Sequence, residues 1–274
     1  MYYITYSKET QMAKATGIYE TKLKNGTASF RVSITYKGKH ISLGSYPDIS
    51  TAENIYSFGK NLIESDLTLE NYSKDWSFPH DKYVTLINFR DNGIYFPTPI
   101  YLRKQYFEYY LTSSTVLKFD RDDLFFYASH KIQKRGGYLF VSDYGSQYKI
   151  LSRYGIKPFA VYGRDYIMIN GDTHDFRYSN IKILNNYMGV LRTTKNGRDR
   201  YVAQIHINGN YIVGTYKTET EAAIAYNKAA DTVINLGLSK QFIKNYIVSI
   251  SKEEYKNIYD SLQISEKITG LTIN

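Results

Sequence analysis

Residues 189–230, GVLRTTKNGRDRYVAQIHINGNYIVGTYKTETEAAIAYNKAA, combine strand and helix signals in an order that decides the fold. Apolar and polar residues alternate through the first half, which is typical of half-buried strands. Asn208-Gly209 interrupts that alternation and predicts a tight turn between two strands. Thr218 with Glu221 is typical of a capping box, and the alanines that follow predict a helix that lies close to the sheet. The stretch therefore predicts three antiparallel strands followed by one helix.

Residues 17–62, GIYETKLKNGTASFRVSITYKGKHISLGSYPDISTAENIYSFGKNL, repeat this pattern near the start of the chain. The matched pairs are Gly17 and Gly189, Phe30 and Tyr201, Val32 and Ala203, Ile34 and Ile205, Gly38 and Gly209, Gly44 and Gly214, Tyr46 and Tyr216, and Ala52 and Ala222. Lys37-Gly38 supplies the turn signal, and Ser50 or Thr51 is expected to cap the helix. We therefore expect two copies of one module, each with one face of its sheet covered by the helix and the other open to a partner.

The composition indicates a globular, basic protein. The 274 residues include 30 tyrosines and no cysteine, and 35 Lys and Arg oppose 26 Asp and Glu, for a formal net charge of +9. The lack of cysteine excludes disulfides, a thiol nucleophile and zinc sites that need thiolates. No signal peptide or membrane-spanning segment is visible in the sequence, which favours a cytoplasmic protein. A basic surface attracts phosphate polymers, so the charge favours a nucleic-acid partner.

The runs YMGV, RYVAQI and NGNYIVGTYKTETEAAIAYNKAA resemble the Apetala/ethylene-response DNA-binding domain, which also occurs in bacterial and phage homing endonucleases. The first copy resembles it through GIY, FRVSI, KGK and LGSY but lacks the alanine-rich helix. Members of that family lay the three-stranded sheet in the major groove and read bases from its open face. The resemblance therefore implies that the outward-facing strand residues contact double-stranded DNA.

Both copies are expected to supply DNA contacts. In the second copy the expected contact residues are Arg192, Lys195, Arg198, Arg200, Gln204 and His206. In the first copy they are Lys22, Lys24, Arg31, Ser33, Lys37 and Lys39. Along the second strand of the first copy, we expect two opposite faces, one with Arg31, Ser33 and Tyr36 and the other with Phe30, Val32 and Ile34. Met188 and Leu191 replace the family's first-strand arginines, so no sequence preference is transferred.

Residues 113–184 resemble the HNH endonuclease module that commonly precedes this DNA-binding domain. The most specific piece is INGDTHDFRYSNIKIL, Ile169 to Leu184, which is similar to the family's turn, Asn/Arg-rich loop and short helix. In that family an Asp-His pair just before the turn supplies the general base and, with a later Asn or His, holds a divalent metal. That chemistry needs a group that takes the proton from water and a hard cation that stabilises the phosphorane.

The residues that would carry this chemistry are replaced. Ile167 and Met168 stand where the resemblance places the Asp-His pair, and neither can accept a proton or bind a hard cation. The segment 152–154, SRY, lacks the family's upstream His. Asn185 and Asn186 match the later Asn, but an Asn alone makes no site. We therefore predict a degenerate HNH-like module with no catalytic residue, no metal and no cofactor.

Two alternatives stay open. His174, beside Asp172 and Asp175, is the only local replacement for the general base and would support a metal-dependent nicking endonuclease. A nuclease-like chain without nuclease chemistry would also suit an inhibitor of a host nuclease complex, as anti-CRISPR proteins are. The basic residues left in the module would in either case be able to hold backbone phosphate; they are Lys131, Lys134, Arg135, Arg153, Lys157, Arg164, Arg177 and Lys182.

The sequence thus predicts an α+β protein in which two small sheet-and-helix modules flank a central ββα-like module. The expected parts are a first DNA-binding-like module at 1–65, a connector at 66–112, the degenerate HNH-like module at 113–184, and a second DNA-binding module with an extension at 185–274. The connector ends in the aromatic run YLRKQYFEYYL, which predicts a buried strand or an oligomer surface. In the extension, residues 238–262 predict a strand or short helix followed by a helix. The predicted function is binding of double-stranded DNA by a protein derived from a phage or mobile-element HNH endonuclease, without enzyme activity.

Overall fold

The computed structural model describes residues 17–272, so residues 1–16 and 273–274 of the predicted terminal modules lie outside the described part. The chain divides into two units. One runs to Lys134 and includes Ser142–Tyr144, and the other contains Arg135–Val141 and the residues from Gly145 onward. Helices and small antiparallel sheets are mixed in the chain, which confirms the predicted α+β class.

The first unit contains the predicted first module. Its elements are β1 (Ile18–Lys22), β2 (Ala28–Tyr36), β3 (Lys39–Tyr46) and α1 (Ile49–Glu64), and the antiparallel sheet has the order β1-β2-β3. Ile41 and Ile55 are buried between the sheet and the helix, and their burial holds the two layers together. Asp48 caps α1, because its carboxylate accepts a hydrogen bond from Thr51 N at 2.7 Å. The cap is therefore neither of the two residues predicted from the sequence.

The rest of the first unit adds a helix layer and a second sheet. Its elements are α2 (His80–Asn92), β4 (Ile100–Leu102), β5 (Tyr106–Thr112), β6 (Thr115–Asp120) and α3 (Leu124–Ser129), and the sheet has the order β4-β5-β6. Phe107 and Tyr109 of β5 are buried, which confirms the buried-strand alternative for the aromatic run. Strands β5 and β6 pair across the boundary predicted between residues 112 and 113. That boundary therefore divides a hairpin, and the structure does not follow it.

The second unit contains the second copy of the module. Between the two copies lie β7 (Gln133–Arg135), β8 (Tyr138–Asp143) and β9 (Ser146–Lys149), where the chain passes from one unit to the other, and the antiparallel pair β10 (Tyr166–Met168) and β11 (Ile181–Ile183). The second copy consists of β12 (Val190–Lys195), β13 (Arg198–His206), β14 (Asn210–Tyr216) and α4 (Glu219–Asn235). The predicted capping box is present, since Thr218 and Glu221 exchange side-chain and backbone hydrogen bonds.

The two copies agree in detail beyond strand order. Each sheet has a register shift at the same place, between Val32 and Ser33 in β2 and between Ala203 and Gln204 in β13. The glycine before each first strand accepts a hydrogen bond from the residue after the shift. Gly17 O accepts from Ser33 N at 2.8 Å, and the matched bond in the second copy is 2.7 Å long. Shared irregularities of this kind are typical of two copies of one fold.

The turns of the two copies differ. Lys37 and Gly38 have φ values of 45° and 73°, as the predicted two-residue turn requires. In the second copy His206 pairs with Asn210, so a three-residue loop replaces the predicted two-residue turn. A left-handed pair occurs instead between β12 and β13, where Asn196 and Gly197 have φ values of 51° and 70°. This second turn was not predicted.

The C-terminal extension packs on the second copy. Residues 238–250 contain no regular strand or helix, contrary to the prediction, whereas α5 (Lys252–Ser261) confirms the predicted helix and α6 (Glu266–Thr269) follows it. Asn245 is buried and bonds Met188 through both side-chain atoms, at 2.7 and 3.0 Å. Its backbone exchanges two further bonds with the buried Asn227 side chain of α4. These bonds fix the extension to α4 and to Met188, which precedes β12. In residues 17–272 no helix is long and apolar enough to cross a membrane.

Candidate nucleic-acid interface

The second sheet has one face covered by α4 and one open face. Val190, Ala203 and Ile205 are buried against α4. Cross-strand partners share a face and successive residues alternate, so the register assigns every strand residue to one side. The open face carries Leu191, Thr193, Lys195, Arg198, Arg200, Val202, Gln204, His206, Asn210, Ile212 and Thr215.

Three cations gather at one end of this open face. Lys195 and Arg198 face each other across the Asn196-Gly197 turn, and Arg200 follows on the same side of β13. Within residues 17–272 none of the three forms an ion pair, and Arg200 bonds only the carbonyl oxygen of its neighbour in sequence. Their charges are therefore not neutralised by a carboxylate. Such a cluster raises the local potential for an anionic partner.

Gln204 and His206 lie towards the other end of the same face. The Nδ1 atom of His206 lies within hydrogen-bond distance, 2.9 Å, of Oδ1 of Asn210. Ile212 pairs with Gln204 and is 61% exposed. The sequence did not indicate this isoleucine, because the extra residue in β14 moves it to the open face. Amide, imidazole and alkyl groups are the types that read base edges in the major groove.

Arg192 does not face outward with the other predicted contact residues. It pairs with Tyr201, which packs on the α4 side of the sheet, so Arg192 lies on that side as well. Its Nη2 atom is 2.5 Å from Oδ2 of Asp199. This hydrogen bond holds the pKa of Asp199 below its usual value and raises the pKa of Arg192. The predicted contact set of the second copy is therefore corrected to five residues.

The open face of the first sheet has a different character. By the same register argument it carries Tyr19, Thr21, Ser29, Arg31, Ser33, Thr35, His40, Ser42 and Ser45. Arg31 is its one cation among these described strand residues, and hydroxyl groups make up most of the rest. The matched face of the second sheet holds Lys195, Arg198 and Arg200. The two copies therefore present different chemistry on equivalent faces.

Two predicted contact lysines of the first copy turn towards aromatic rings. Lys37 Nζ lies 5.2 Å from the ring centroid of Tyr36 and donates to a backbone carbonyl of α2 at 3.3 Å. Lys39 pairs with Tyr36 in the sheet, and its Nζ lies 5.3 Å from the ring centroid of Tyr95. Both lysine side chains therefore lie on the helix side of the sheet, and the prediction that they lie on the open face is wrong.

Three further expectations for the first copy need correction. Ser33 is on the predicted face but only 3% exposed, and its backbone N donates to Gly17 O at 2.8 Å. Tyr36 lies on the helix side, edge-on to Phe89 at 5.4 Å between ring centroids. Lys22 pairs with Ala28 of β2 and therefore also lies on the helix side of the sheet. Lys24 lies in the exposed connection between β1 and β2.

In the segment for which the sequence predicted an HNH-like module, Ile167 and Met168 lie in β10, and Met168 is buried. The loop that follows leads through a short 3-10 helix (Tyr178–Asn180) into β11, so no α-helix forms where the resemblance implies one. His174 is half exposed, and its Nδ1 atom is 3.8 Å from Oδ1 of Asp172. In residues 17–272 no three His, Cys, Asp or Glu side chains cluster to hold a metal ion.

The carboxylates and the later Asn of this segment serve the fold. Asp175 is fully buried and accepts two bonds from Arg177, at 2.8 and 2.6 Å, and one from Asn170. Burial alone would raise the pKa of Asp175, but these hydrogen bonds outweigh it and hold the pKa below its usual value. Asn185 is also buried and donates to Arg164 O at 2.7 Å.

Two of the basic residues expected to hold phosphate are engaged by carboxylates. Arg177 pairs with Asp175, and Arg164 pairs with the buried Asp165 at 2.6 Å. Asn186, the other candidate for the later Asn, donates to Glu219 at the start of α4. These bonds therefore stabilise the fold locally.

A second cluster of cations and rings lies on β7, β8 and β9, and of its members only Arg135 was expected from the sequence to hold phosphate. Arg135, Tyr138, Gln147 and Lys149 line a cavity of about 240 Å³. Lys149 Nζ lies 4.2 Å from the ring centroid of Tyr138, which is itself more than half exposed. Aromatic rings beside cations are typical of surfaces that stack nucleic-acid bases.

Comparison with protein-family models finds no match, and comparisons with curated proteins and with solved structures find no significant match either.

Proposed function

We propose that this protein binds double-stranded DNA through the open face of the second sheet. The observation that carries the proposal is the register of β12 and β13, which places Lys195, Arg198 and Arg200 on one face without a carboxylate partner in the described residues. Gln204 and His206 continue the same face. Cations of this kind bind backbone phosphate, while the amide and imidazole are suited to base edges.

The dimensions of the sheet favour a B-form duplex. Neighbouring strands lie about 4.8 Å apart, so three strands span about 10 Å between the outer backbones. The major groove of B-form DNA is about 12 Å wide, whereas the major groove of an RNA duplex is too narrow for side chains to read. The twist of a small antiparallel sheet also follows the curve of a groove. We therefore assign the DNA major groove as the partner of this face.

The same proposal has no catalytic step. Ile167 and Met168 offer no proton acceptor at the position of the HNH pair, and Asp175 is already held by Arg177. His174 has one carboxylate near it and, in residues 17–272, no third ligand for a metal. This supports binding without cleavage over the nicking-endonuclease alternative.

A titration of labelled duplex DNA with the full chain at several salt concentrations tests the proposal. We expect the duplex to bind at low salt. The logarithm of the binding constant should then fall linearly with the logarithm of the salt concentration, by roughly 0.9 per phosphate contact. A parallel titration of supercoiled plasmid with Mg²⁺ or Mn²⁺ follows cleavage. No binding at low salt would refute the proposal, and binding only to a nuclease complex from a host would favour the inhibitor alternative.

A further inference from the structure

A cavity of about 340 Å³ lies at the edge of the first sheet, beside the start of β1. Gly17 forms part of its wall. The other lining residues all carry a hydroxyl, imidazole or ammonium group; they are Tyr19, Ser33, Thr35, His40, Tyr56 and Lys60. No carboxylate is among these lining residues in the described part of the chain, 17–272. Nearly every side chain around the cavity can therefore donate a hydrogen bond to an anion.

Lys60 supplies the charge of this cavity. It follows Tyr56 by one turn of α1, so both side chains reach the same side of the helix. Lys60 is half buried, yet within residues 17–272 it forms no ion pair, not even with Glu64 one turn further on. Charges that lose water are normally paired, because desolvation is costly. A half-buried ammonium group in a recess of donors therefore favours an anionic occupant.

The second copy fills the equivalent place with its own chain. There Lys240 of the C-terminal extension donates from Nζ to the backbone oxygens of His206 and Ile207, at 2.8 and 3.1 Å. In the alignment of the two copies, His206 corresponds to Thr35 and Ile207 corresponds to Tyr36. Ala230, the counterpart of Lys60, is fully buried. One copy thus closes this edge with a lysine and an alanine, and the other forms a recess with a cation and hydroxyl groups.

We propose that the cavity at the edge of the first sheet binds a phosphate ester, held by Lys60 and by the donors of Tyr19, Thr35 and His40. Charge-assisted hydrogen bonds to phosphate oxygens are the strongest that such groups make. A volume of about 340 Å³ exceeds a single phosphate group and leaves room for part of a nucleoside. The phosphate comes either from the backbone of a duplex or from a free nucleoside monophosphate, and the two sources share this chemistry.

Titration of the ¹⁵N-labelled full chain with AMP and with inorganic phosphate tests the site. We expect saturable shifts of the Thr35 and His40 amide signals, and binding about tenfold weaker in Lys60→Gln, because one charge-assisted bond is lost. Lys252→Gln, an exposed lysine on α5, is the matched control and should bind as wild type does. Thr35→Val gives a second variant if Lys60→Gln melts at a lower temperature.

The duplex arm of the experiment identifies the source of the phosphate. If Lys60→Gln weakens duplex binding and AMP competes with the duplex, the cavity holds backbone phosphate; if AMP binds and duplex affinity is unchanged, it holds a separate ligand. No saturable shift with either probe, or equal affinity in wild type and both cavity variants, would overturn the proposal. The titrations with AMP and with inorganic phosphate are independent of the second sheet, since none of its residues lines this cavity.

Discussion

Gly189 lies so close to the ring of Tyr226 that a Cβ atom on the glycine would be 2.4 Å from Cδ2 of the tyrosine. The first copy repeats the relationship, with 2.5 Å between a Cβ on Gly17 and Cε2 of Tyr56. In both copies the glycine precedes the first strand and the tyrosine lies on the helix. The pair therefore sets how closely helix and sheet approach in this module.

Gly189→Ala is expected to lower the free energy of unfolding by about 2–4 kcal/mol, from backbone strain at φ 68° together with clashes of the new Cβ against the carbonyl oxygen of Gln204 and the ring of Tyr226, each 2.4 Å away. Gly197→Ala is the matched control, since Gly197 has φ 70° and nothing within 4 Å of a Cβ. Gly197→Ala should lower the free energy of unfolding by only about 1 kcal/mol, because backbone strain is its only effect. Denaturant unfolding of the full chain measures both. Equal losses in the two variants would show that the close approach contributes nothing.

Asn245→Ala is expected to loosen the C-terminal extension and to lower the unfolding free energy by about 2–3 kcal/mol, because Met188 N and O lose their partners in a partly buried place. Limited proteolysis should then cut residues 238–250 faster than in wild type. Asn257→Ala, on the exposed side of α5, is the control and should behave as wild type does. Unchanged proteolysis of Asn245→Ala would contradict the anchoring role.

Asp175 predicts an acid-sensitive contribution to stability. The pKa of Asp175 is lower in the folded state than in the unfolded state. Its contribution to the free energy of unfolding is therefore complete at a pH above the unfolded-state pKa and is lost as the pH falls through the folded-state pKa. Asp175→Asn, which breaks the buried pair with Arg177, should cost about 3 kcal/mol at pH 7. We expect the difference between wild type and variant, measured by denaturant unfolding, to shrink on acidification below about pH 4. A difference independent of pH would contradict this assignment.

Supercoiled plasmid should remain uncut by the full chain in the presence of Mg²⁺ or Mn²⁺. The physical reason is that Ile167 and Met168 supply neither a base nor a metal ligand. Wild type and His174→Ala should therefore give the same plasmid pattern on a gel. Nicking by wild type that disappears in His174→Ala would establish the nuclease alternative.

The local signals of the repeat were sufficient to predict much of the fold. Glycine spacing, strand alternation and the Thr218–Glu221 capping box all act within a few residues of one another, and the structure has three strands and a helix in both places. Helix α2 was missed because all residues from Tyr83 to Phe89 are buried, so no 3.6-residue pattern of apolar and polar residues marks it.

The faces of the strands were harder to predict, because alternation alone does not reveal register. Arg192 lies between two residues of β12 whose side chains are on the open face. A change of one residue in the assumed register moves a side chain to the opposite side of a sheet. Lys37 contacts the ring of Phe89 and the carbonyl oxygen of Arg90, and Lys39 contacts the ring of Tyr95; all three partners lie far along the sequence from the lysines. Such long-range contacts leave no local sequence signal.

Arg200 and Arg192 allow a direct test of this assignment of faces. Arg200→Ala should weaken duplex binding several-fold, since it removes a cation from the open face. Arg192→Ala removes the same charge from the α4 side, where Asp199 neutralises it, and should change the affinity by less than about twofold. Anisotropy titration at one fixed salt concentration compares them. The reverse order of effects would place the DNA on the other side of the sheet.

The most direct test of the central claim is the salt dependence of duplex binding in a triple variant, Lys195→Ala with Arg198→Ala and Arg200→Ala. Its control, Lys252→Ala with Lys256→Ala and Lys267→Ala, removes the same charge from exposed positions in the C-terminal extension. We expect the open-face variant to bind at least about tenfold more weakly at moderate salt. The slope of the logarithm of its binding constant against the logarithm of the salt concentration should fall by up to about 2.7, while the control stays close to wild type. Equal affinities and slopes in the two variants would contradict DNA binding through this face.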